Sequence, residues 1–473
     1  LFSQNIPYTG GGDNELLKTL CSQLRPGYVP PCRKKIGSVL LDKIFDEENS
    51  KLKDNASKTD SVLVLSQDGW SSVSNNPIIA HSVLVNGKSF LLNLENAGSN
   101  TKTAQYCYTL TEQTLEKIRD DYGKEVTAIV TDNENKMKRY RELVKENNPN
   151  ILTYGCGAHY MNLLETEITD PDRHVLKHVI EVNKHFRNVH KSLGLLREKG
   201  GKMPQLINET RWTSQIACLE SYLDNYNLYR EIRDELYRAK DKSIPQNVAR
   251  IIDDSQIYRL AQEWLDITKR FGKALDRLQS DKCTIGEGIH IFLTLLTDDT
   301  LEPFKEDIQA RFEQYLQPFM VAAYITDPRF QKDWYDMLEQ AVSLDLEQKA
   351  DNYMASLDEE GEVMDIYFKF KAKEKDARYF PDYMFKPRLT SPESDPAHWW
   401  KILHDKNSRG GAYTMPTVFT ETMIKLHSCP ASSASIERWF STVGFVWSKE
   451  RNRLGSEKAL KLAQVYRTLR QPD

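Results

Sequence analysis

Hydrophobic and polar positions change their spacing along the chain, and each change predicts a different kind of structure. Residues 1–58 carry few large apolar side chains and a Pro-rich break, Arg25-Pro-Gly-Tyr-Val-Pro-Pro-Cys32, followed by the basic triplet Arg33, Lys34 and Lys35. That pattern predicts short helices with too little apolar surface for a core of their own, so the segment is expected to pack on the next domain or on a partner subunit. From residue 61 the spacing becomes that of strands. Ser61-Val-Leu-Val-Leu-Ser-Gln-Asp68 is a continuous apolar run ending in a carboxylate, and the runs 78–85 and 88–94 flank Asn86-Gly87, a strong two-residue hairpin signal. Helical spacing returns over 103–122 through Leu110, Leu115 and Ile118. A second buried-strand run, 125–132, again ends in a carboxylate, and a helix over 136–145 and a strand over 150–156 follow. The order β-β-β-α-β-α-β joins a hairpin to parallel crossovers and predicts a mixed sheet covered by helices.

Between about residues 160 and 425 strand signals nearly vanish. Long helical stretches are predicted over 175–191, 214–238, 257–278, 289–296, 303–319 and 333–355, with breaks at Thr326-Asp-Pro-Arg329 and in the Pro-rich stretch 381–396. Two last helices are expected over 433–447 and 456–470, each starting at a serine suited to capping. In the first, Ile436, Phe440, Val443 and Trp447 follow the 3.6-residue period, which buries that face and leaves Glu437 at its edge. The division expected is therefore an N-terminal helical segment (1–58), the first part of an α/β core (59–213), an all-helical insertion (214–424) and a return to the core (425–473).

Composition narrows the class. Of 473 residues, 40% are hydrophobic and 28% charged, enough apolar surface for a folded core and too much for a disordered polymer. No run reaches the roughly 18 apolar residues of a membrane span, and the first 30 residues lack a signal core. Seven scattered cysteines, an odd number, favour reduced thiols in an intracellular compartment. Residue 1 is Leu, so a further module is expected upstream. The net charge of −4 hides segments of opposite sign. Residues 301–365 hold 16 acidic against 5 basic side chains, whereas 425–470 hold 9 basic against 3 acidic and 1–35 five against two. A polyanion such as DNA would be attracted to the two ends of the chain and repelled by its middle, unless these are ordinary solvated faces.

The candidate chemistry starts from Asp68 and Asp132, each placed at the carboxyl end of a predicted strand, where ligands gather in open sheets. On neighbouring strands the two carboxylates could share hard divalent cations, whose other positions stay with water and phosphate. Two such ions about 4 Å apart serve phosphodiester displacement by activating the nucleophile and stabilising the leaving oxygen. A third carboxylate would complete that site. The plainer reading makes each aspartate a strand-end or helix-capping residue.

Several blocks then fall in a meaningful order. Gln67-Asp68-Gly69-Trp70-Ser71-Ser72, Thr131-Asp132-Asn133, Cys156-Gly-Ala-His159 with Asn162-Leu-Leu164, Thr210-Arg211-Trp212-Thr213-Ser214, and Pro430-Ala-Ser-Ser-Ala-Ser-Ile-Glu437-Arg-Trp-Phe-Ser441 resemble the signature blocks of the hAT superfamily of DNA transposases, the group of Activator, hobo and Hermes. Arg25–Pro31, Leu278–Asp281, Tyr324–Arg329 and Asp395–Trp400 extend the resemblance over nearly the whole chain, and the N-terminal segment is similar to the Buster and ZBED-like branch. The resemblance implies an RNase H-like mixed-sheet catalytic core interrupted by a large all-α insertion domain, with Asp68, Asp132 and Glu437 as a DDE-type acidic triad holding two Mg²⁺ or Mn²⁺ ions. It implies a nuclear cut-and-paste enzyme that works as a homodimer or larger assembly on transposon terminal inverted repeats. Such an enzyme nicks one strand at each end, forms a hairpin on the flanking DNA and joins the released 3′-hydroxyl to target DNA. By position, Trp212 matches the family tryptophan that stacks on an extruded base, and Arg211 would hold a phosphate beside it; the alternative is a core plug and a surface charge. Cys156 and His159 have the spacing of half a zinc site with no second half nearby, and resemble instead the family pair that meets DNA beside the active site. Arg438, Lys449, Arg451 and Arg453, with Arg33, Lys34 and Lys35, are expected to contact phosphates, or else to solvate their own elements. The final helix resembles the family's dimerisation segment. His174, His178, His185 and His190 recur at helical spacing but read as separate solvated or packed side chains. The BED-type zinc finger usual before the core is missing from these residues, and an alternative function is a domesticated, transposase-derived DNA-binding regulator that does not cut.

Overall fold

The computed structural model describes residues 13–470 apart from 59–60, 73, 99–102, 170–174, 208–211, 332–333, 341–344, 359, 373, 409–413, 449–450 and 452–453. A helix, α1 (Leu41–Ala56), leads into a five-stranded sheet made of β1 (Leu63–Ser71), β2 (Pro77–Val85), β3 (Lys88–Asn96), β4 (Val126–Thr131) and β5 (Leu152–Gly155). The sheet order is β3-β2-β1-β4-β5, with β1, β2 and β3 antiparallel and β1, β4 and β5 parallel. It is the mixed sheet that the alternation of strand and helix signals predicts. The hairpin forms where Asn86-Gly87 places it, because both residues take positive φ (49° and 75°), as a tight turn matching the strand twist requires. The crossover helices are α2 (Ala104–Tyr122) and α3 (Asn135–Asn147), the latter followed by β5.

Side-chain alternation gives the sheet two buried faces. Leu63 and Leu65 of β1, Ile79 and Val83 of β2 and Ile129 of β4 pack beneath α2 and α3, together with Leu115, Ile118, Tyr140 and Val144. The opposite face is shared. Val64, Ala128, Val130 and Tyr154 join the core of a helical body, whereas Ile78, Ala80, Leu91 and Leu94 receive the two last helices. The body includes α4 (Gly157–Ile168), α5 (Trp212–Arg238), α6 (Ser255–Leu278), α7 (Ile285–Leu296), α8 (Pro318–Ile325), α9 (Pro396–Ser408) and α10 (Thr417–His427). The chain then returns through α11 (Ala434–Val446), which packs on β1, β2 and β3, to α12 (Ser456–Thr468), which packs on β3 and α1.

Three expectations are corrected. Strand β1 runs three residues past Asp68, because Gly69, Trp70 and Ser71 still pair with Ile79, Ile78 and Pro77. The helix expected over 303–319 divides at Leu316 and Gln317, since Pro318 lacks the N–H to continue a helix and instead starts α8. Ser433 flanks α11 without a side-chain capping bond, and Ser456 is the first residue of its helix, with Gly455 at the cap. All seven cysteines are free. Among the described residues no helix is long and apolar enough to cross a membrane.

Candidate acidic active site

The register of the two central strands brings the aspartates together. Parallel pairing of β1 with β4 ends at Gln67 opposite Thr131, so Asp68 and Asp132 each occupy the next position along adjacent backbones. Neighbouring strands are about 4.8 Å apart. Asp68 shares its sheet face with Val64 and Trp70, the face that receives α11, and Asp132 has the same parity as Val130. The turn after β4 is fixed from three sides. The Arg141 guanidinium donates to Thr131 Oγ1 (2.6 Å) and to the Asp132 carbonyl (2.7 Å), and Asn133 Nδ2 donates to the Cys156 carbonyl (2.9 Å). Glycine at 155 is what admits Asn133, since a Cβ there would lie 1.9 Å from Asn133 Oδ1.

Both carboxylates are half-buried and both resist ionisation. Burial pushes Asp68 up to about 7, and the charge of Asp132 adds to the effect; the Gly69 amide, donating at 2.6 Å, opposes it, and Glu437 and Glu134 contribute smaller repulsions. Burial is also the main cause of the rise at Asp132, followed by Glu134, while the Glu134 amide, His159 and Lys136 favour its charged form. A small cavity of about 120 Å³ opens between them, lined by Gln67, Asp68, Gly69, Asp132, Glu134 and Lys136 with Ile79, Cys107 and Met137. Gln67 Oε1 and Asn133 Oδ1 are buried beside the pair with no hydrogen-bond partner. Glu134, which sequence reasoning missed, is exposed and ion-paired to Lys136 (2.5 Å). Its only sequence signal was its place two residues after Asp132.

Glu437 lies on the first turns of α11, exposed, in a neighbouring cleft of about 550 Å³ that it shares with Trp70, Gln279, Arg438, Phe440, Ser441 and Gly444. It is near enough to raise Asp68, yet among the described residues no three His, Cys, Asp or Glu side chains converge closely enough to enclose a metal ion. The triad is thus brought to one region of the sheet without being gathered. What holds α11 there is the segment before it. The Pro430 carbonyl accepts from the Tyr154 hydroxyl (2.8 Å), the Ala431 amide donates to Cys283 (2.8 Å) and its carbonyl accepts from Gly157 (2.9 Å), and Ser432 Oγ donates to Leu278 (2.7 Å). Arg438 donates to the Gln279 carbonyl (2.8 Å) and pairs with Asp281. The glutamate helix is therefore anchored jointly by β5, α4 and the α6–α7 connection.

The other expected site residues separate. Trp212 is fully buried, stacks on Phe271 (centroids 4.6 Å apart) and donates its indole N–H to the Met161 carbonyl (3.1 Å), so the base-stacking expectation gives way to the core plug. Trp70 is the half-buried indole that borders the Glu437 cleft instead, stacked on Phe440 (6.0 Å) and tilted against Trp447. Cys156 cannot meet DNA directly. It is 1% exposed, burial raises its thiol to about 11, and its Sγ accepts from the Ser433 amide (3.4 Å), tying β5 to the start of α11. His159 is half-buried and acts on Asp132 electrostatically. Arg33, Lys34 and Lys35 are exposed, with Arg33 3.6 Å from Asp13, and Arg451 is half-buried. Lys449, Arg453, Arg211 and His174 lie outside the described residues. His178 and His190 are exposed and His185 is buried against Ser192 (3.0 Å), so the histidines form no metal face among the described residues.

Chemically, the arrangement is a pair of desolvated, mutually repelling carboxylates open to solvent on one side. Such a pair suits a small hard dication that takes one or two carboxylates and keeps water or phosphate elsewhere. The unpartnered acceptor Gln67 Oε1, in a side chain that lines the same cavity, fits a hydrated ion there. Comparison with known families adds two matches. Residues 31–189 match a domain of unknown function (DUF659), which spans α1, the whole sheet and both aspartates. Residues 380–469 match the hAT family C-terminal dimerisation region, which contains Glu437 and the helices that return to the sheet. None of the curated proteins compared with the chain matches it. The two matches lie on the two parts of the chain that fold together around the acidic pair, and together they support an hAT-family transposase.

Proposed function

We propose that this protein is a DDE-type DNA transposase that cleaves transposon ends by way of hairpins on the flanking DNA and joins the freed 3′-hydroxyls to target DNA, with Asp68, Asp132 and Glu437 as the acidic residues. The observation that carries the reading is the register of β1 and β4, which sets Asp68 beside Asp132 on the face to which α11 brings Glu437. The β3-β2-β1-β4-β5 order supports the finer assignment of the sheet as an RNase H-like core.

Asp68, Asp132 and Glu437 would hold Mg²⁺ or Mn²⁺, two ions per site, which when bound supply activation of the attacking oxygen and charge neutralisation at the leaving oxygen. The chain's own residues have separate tasks. The hydrogen bonds of Arg141 and Asn133 keep the Asp132 backbone fixed relative to β5. Trp70 presents part of an aromatic face in the cleft beside Glu437, where an unstacked base at the cleaved end gains roughly 1–3 kcal/mol from stacking. The dimerisation match supports a homodimer. On this reading the protein would work in the nucleus.

One observation favours a second reading. Glu437 is not gathered with the aspartates, as expected for a transposase-derived protein that binds DNA without cutting. Incubation with Mn²⁺ and a duplex carrying the inverted repeats that flank the gene separates the two. Nicks and hairpins at the repeat boundary, lost in Asp132→Asn, support the enzyme. Binding without any cleavage contradicts it.

A further inference from the structure

A second, larger cleft adjoins the one that holds Glu437. It has a volume of about 700 Å³ and lies between the β2–β3 turn on one side and the α6–α7 connection and the start of α9 on the other. The rib between the two clefts is the Arg438–Asp281 pair: Arg438 borders the Glu437 cleft, Asp281 borders the larger one, and Gln279, whose carbonyl binds Arg438, lies on the Glu437 side. A strand leaving Glu437 across that rib enters the larger cleft.

The charges that line it are unequally occupied. Arg329 is buried against Asp327 and Glu287, and Glu287 also pairs with Arg277. Among the acids, Asp281 is paired with Arg438, and Asp395 is engaged by the amides of Ala397 (2.9 Å) and His398 (3.3 Å) at the start of α9. Besides Lys401, what remains is Lys58, Lys88 and Lys282, all exposed and in no ion pair among the described residues, against Glu393. No Trp, Tyr or Phe lines the cleft. A groove with surplus lysines and no aromatic platform holds phosphates and does not read bases.

We propose that this cleft binds the sugar–phosphate backbone of single-stranded DNA, sequence-independently, as the path of the strand running from the candidate active site. The inference rests on the reading that the protein acts on DNA. Lys88 on the hairpin and Lys282 on the α6–α7 connection grip the strand from opposite walls, and Lys58 extends the track towards the N-terminal segment.

The test measures binding of fluorescein-labelled oligo(dT), and of a mixed-sequence oligonucleotide of equal length, to the full chain between 50 and 200 mM salt. Each phosphate contact on a single strand contributes about −0.7 to the slope of log Kobs against log salt. The Lys88→Ala/Lys282→Ala variant is expected to flatten the slope by about 1.4 for both oligonucleotides. A control variant, Lys240→Ala/Lys273→Ala, removes two exposed lysines that line neither cleft and should keep the wild-type slope. An unchanged slope in the first variant, or a preference for one sequence that the variant abolishes, overturns the cleft assignment and leaves the transposase reading standing. A wild-type protein that binds no DNA at any salt overturns that reading itself.

Discussion

Asp68 has a consequence for stability that is independent of any reaction. In the unfolded chain its carboxyl ionises near 3.8, whereas in the folded protein it keeps its proton up to about 7. The folded state therefore binds more protons between those values, and its stability falls as pH rises through that window and stays low above it. Asp68→Asn removes the ionisation. In chelator, urea unfolding should find the variant more stable than wild type by roughly 1–3 kcal/mol at pH 8, with the difference gone near pH 4; an equal difference at both pH values contradicts the assignment. Trp212 makes the opposite kind of prediction. As a buried plug on Phe271, its replacement by Ala should cost about 3–5 kcal/mol in denaturant titration, and by Phe less. A surface residue waiting for an extruded base would cost almost nothing. The sequence could not separate those roles, because burial of Trp212 is decided by a partner 59 positions away on α6. The two aspartates were legible, since each closes an apolar run long enough to be a buried strand.

Elements were readable where one local rule sufficed. The hairpin followed from Asn86-Gly87, and the antiparallel pair and two crossovers followed from the order of strand and helix periods. The end of β1 was not readable, because Gly69-Trp70-Ser71 has no strand pattern of its own and is held in the sheet by pairing with Pro77–Ile79. The contact between the β4–α3 turn and β5 likewise has no local signature. It depends on Gly155, where even a methyl group would overlap Asn133. Gly155→Ala should therefore destabilise the protein by roughly 1–3 kcal/mol and displace the Asp132 turn. Thermal unfolding checks the first effect and amide chemical shifts of residues 131–136 the second; a variant with wild-type stability and shifts would mean that Asn133 does not set the position of Asp132.

At the scale of the molecule, the helical body does more than interrupt the core. Segment 428–433 threads between β5, α4 and the α6–α7 connection before α11 begins, so where Glu437 sits relative to the sheet is decided by residues of the insertion such as Leu278, Gln279, Asp281 and Cys283. That is why the motifs could single out the three carboxylates as candidates but not how far apart they sit, since long-range packing specifies the gap between them. The family's dimerisation region, which includes α12 on β3 and α1, predicts a sedimenting species of twice the 54.7 kDa chain mass, and a monomer at micromolar concentration would contradict it. The most direct test of the central claim is an anomalous-scattering map of the protein crystallised with Mn²⁺ and a DNA end. Ions bridging Asp68 and Asp132, with a Glu437 carboxylate oxygen drawn into ligand distance, are the predicted result; ions fully ligated there while Glu437 stays in its own cleft would contradict the account.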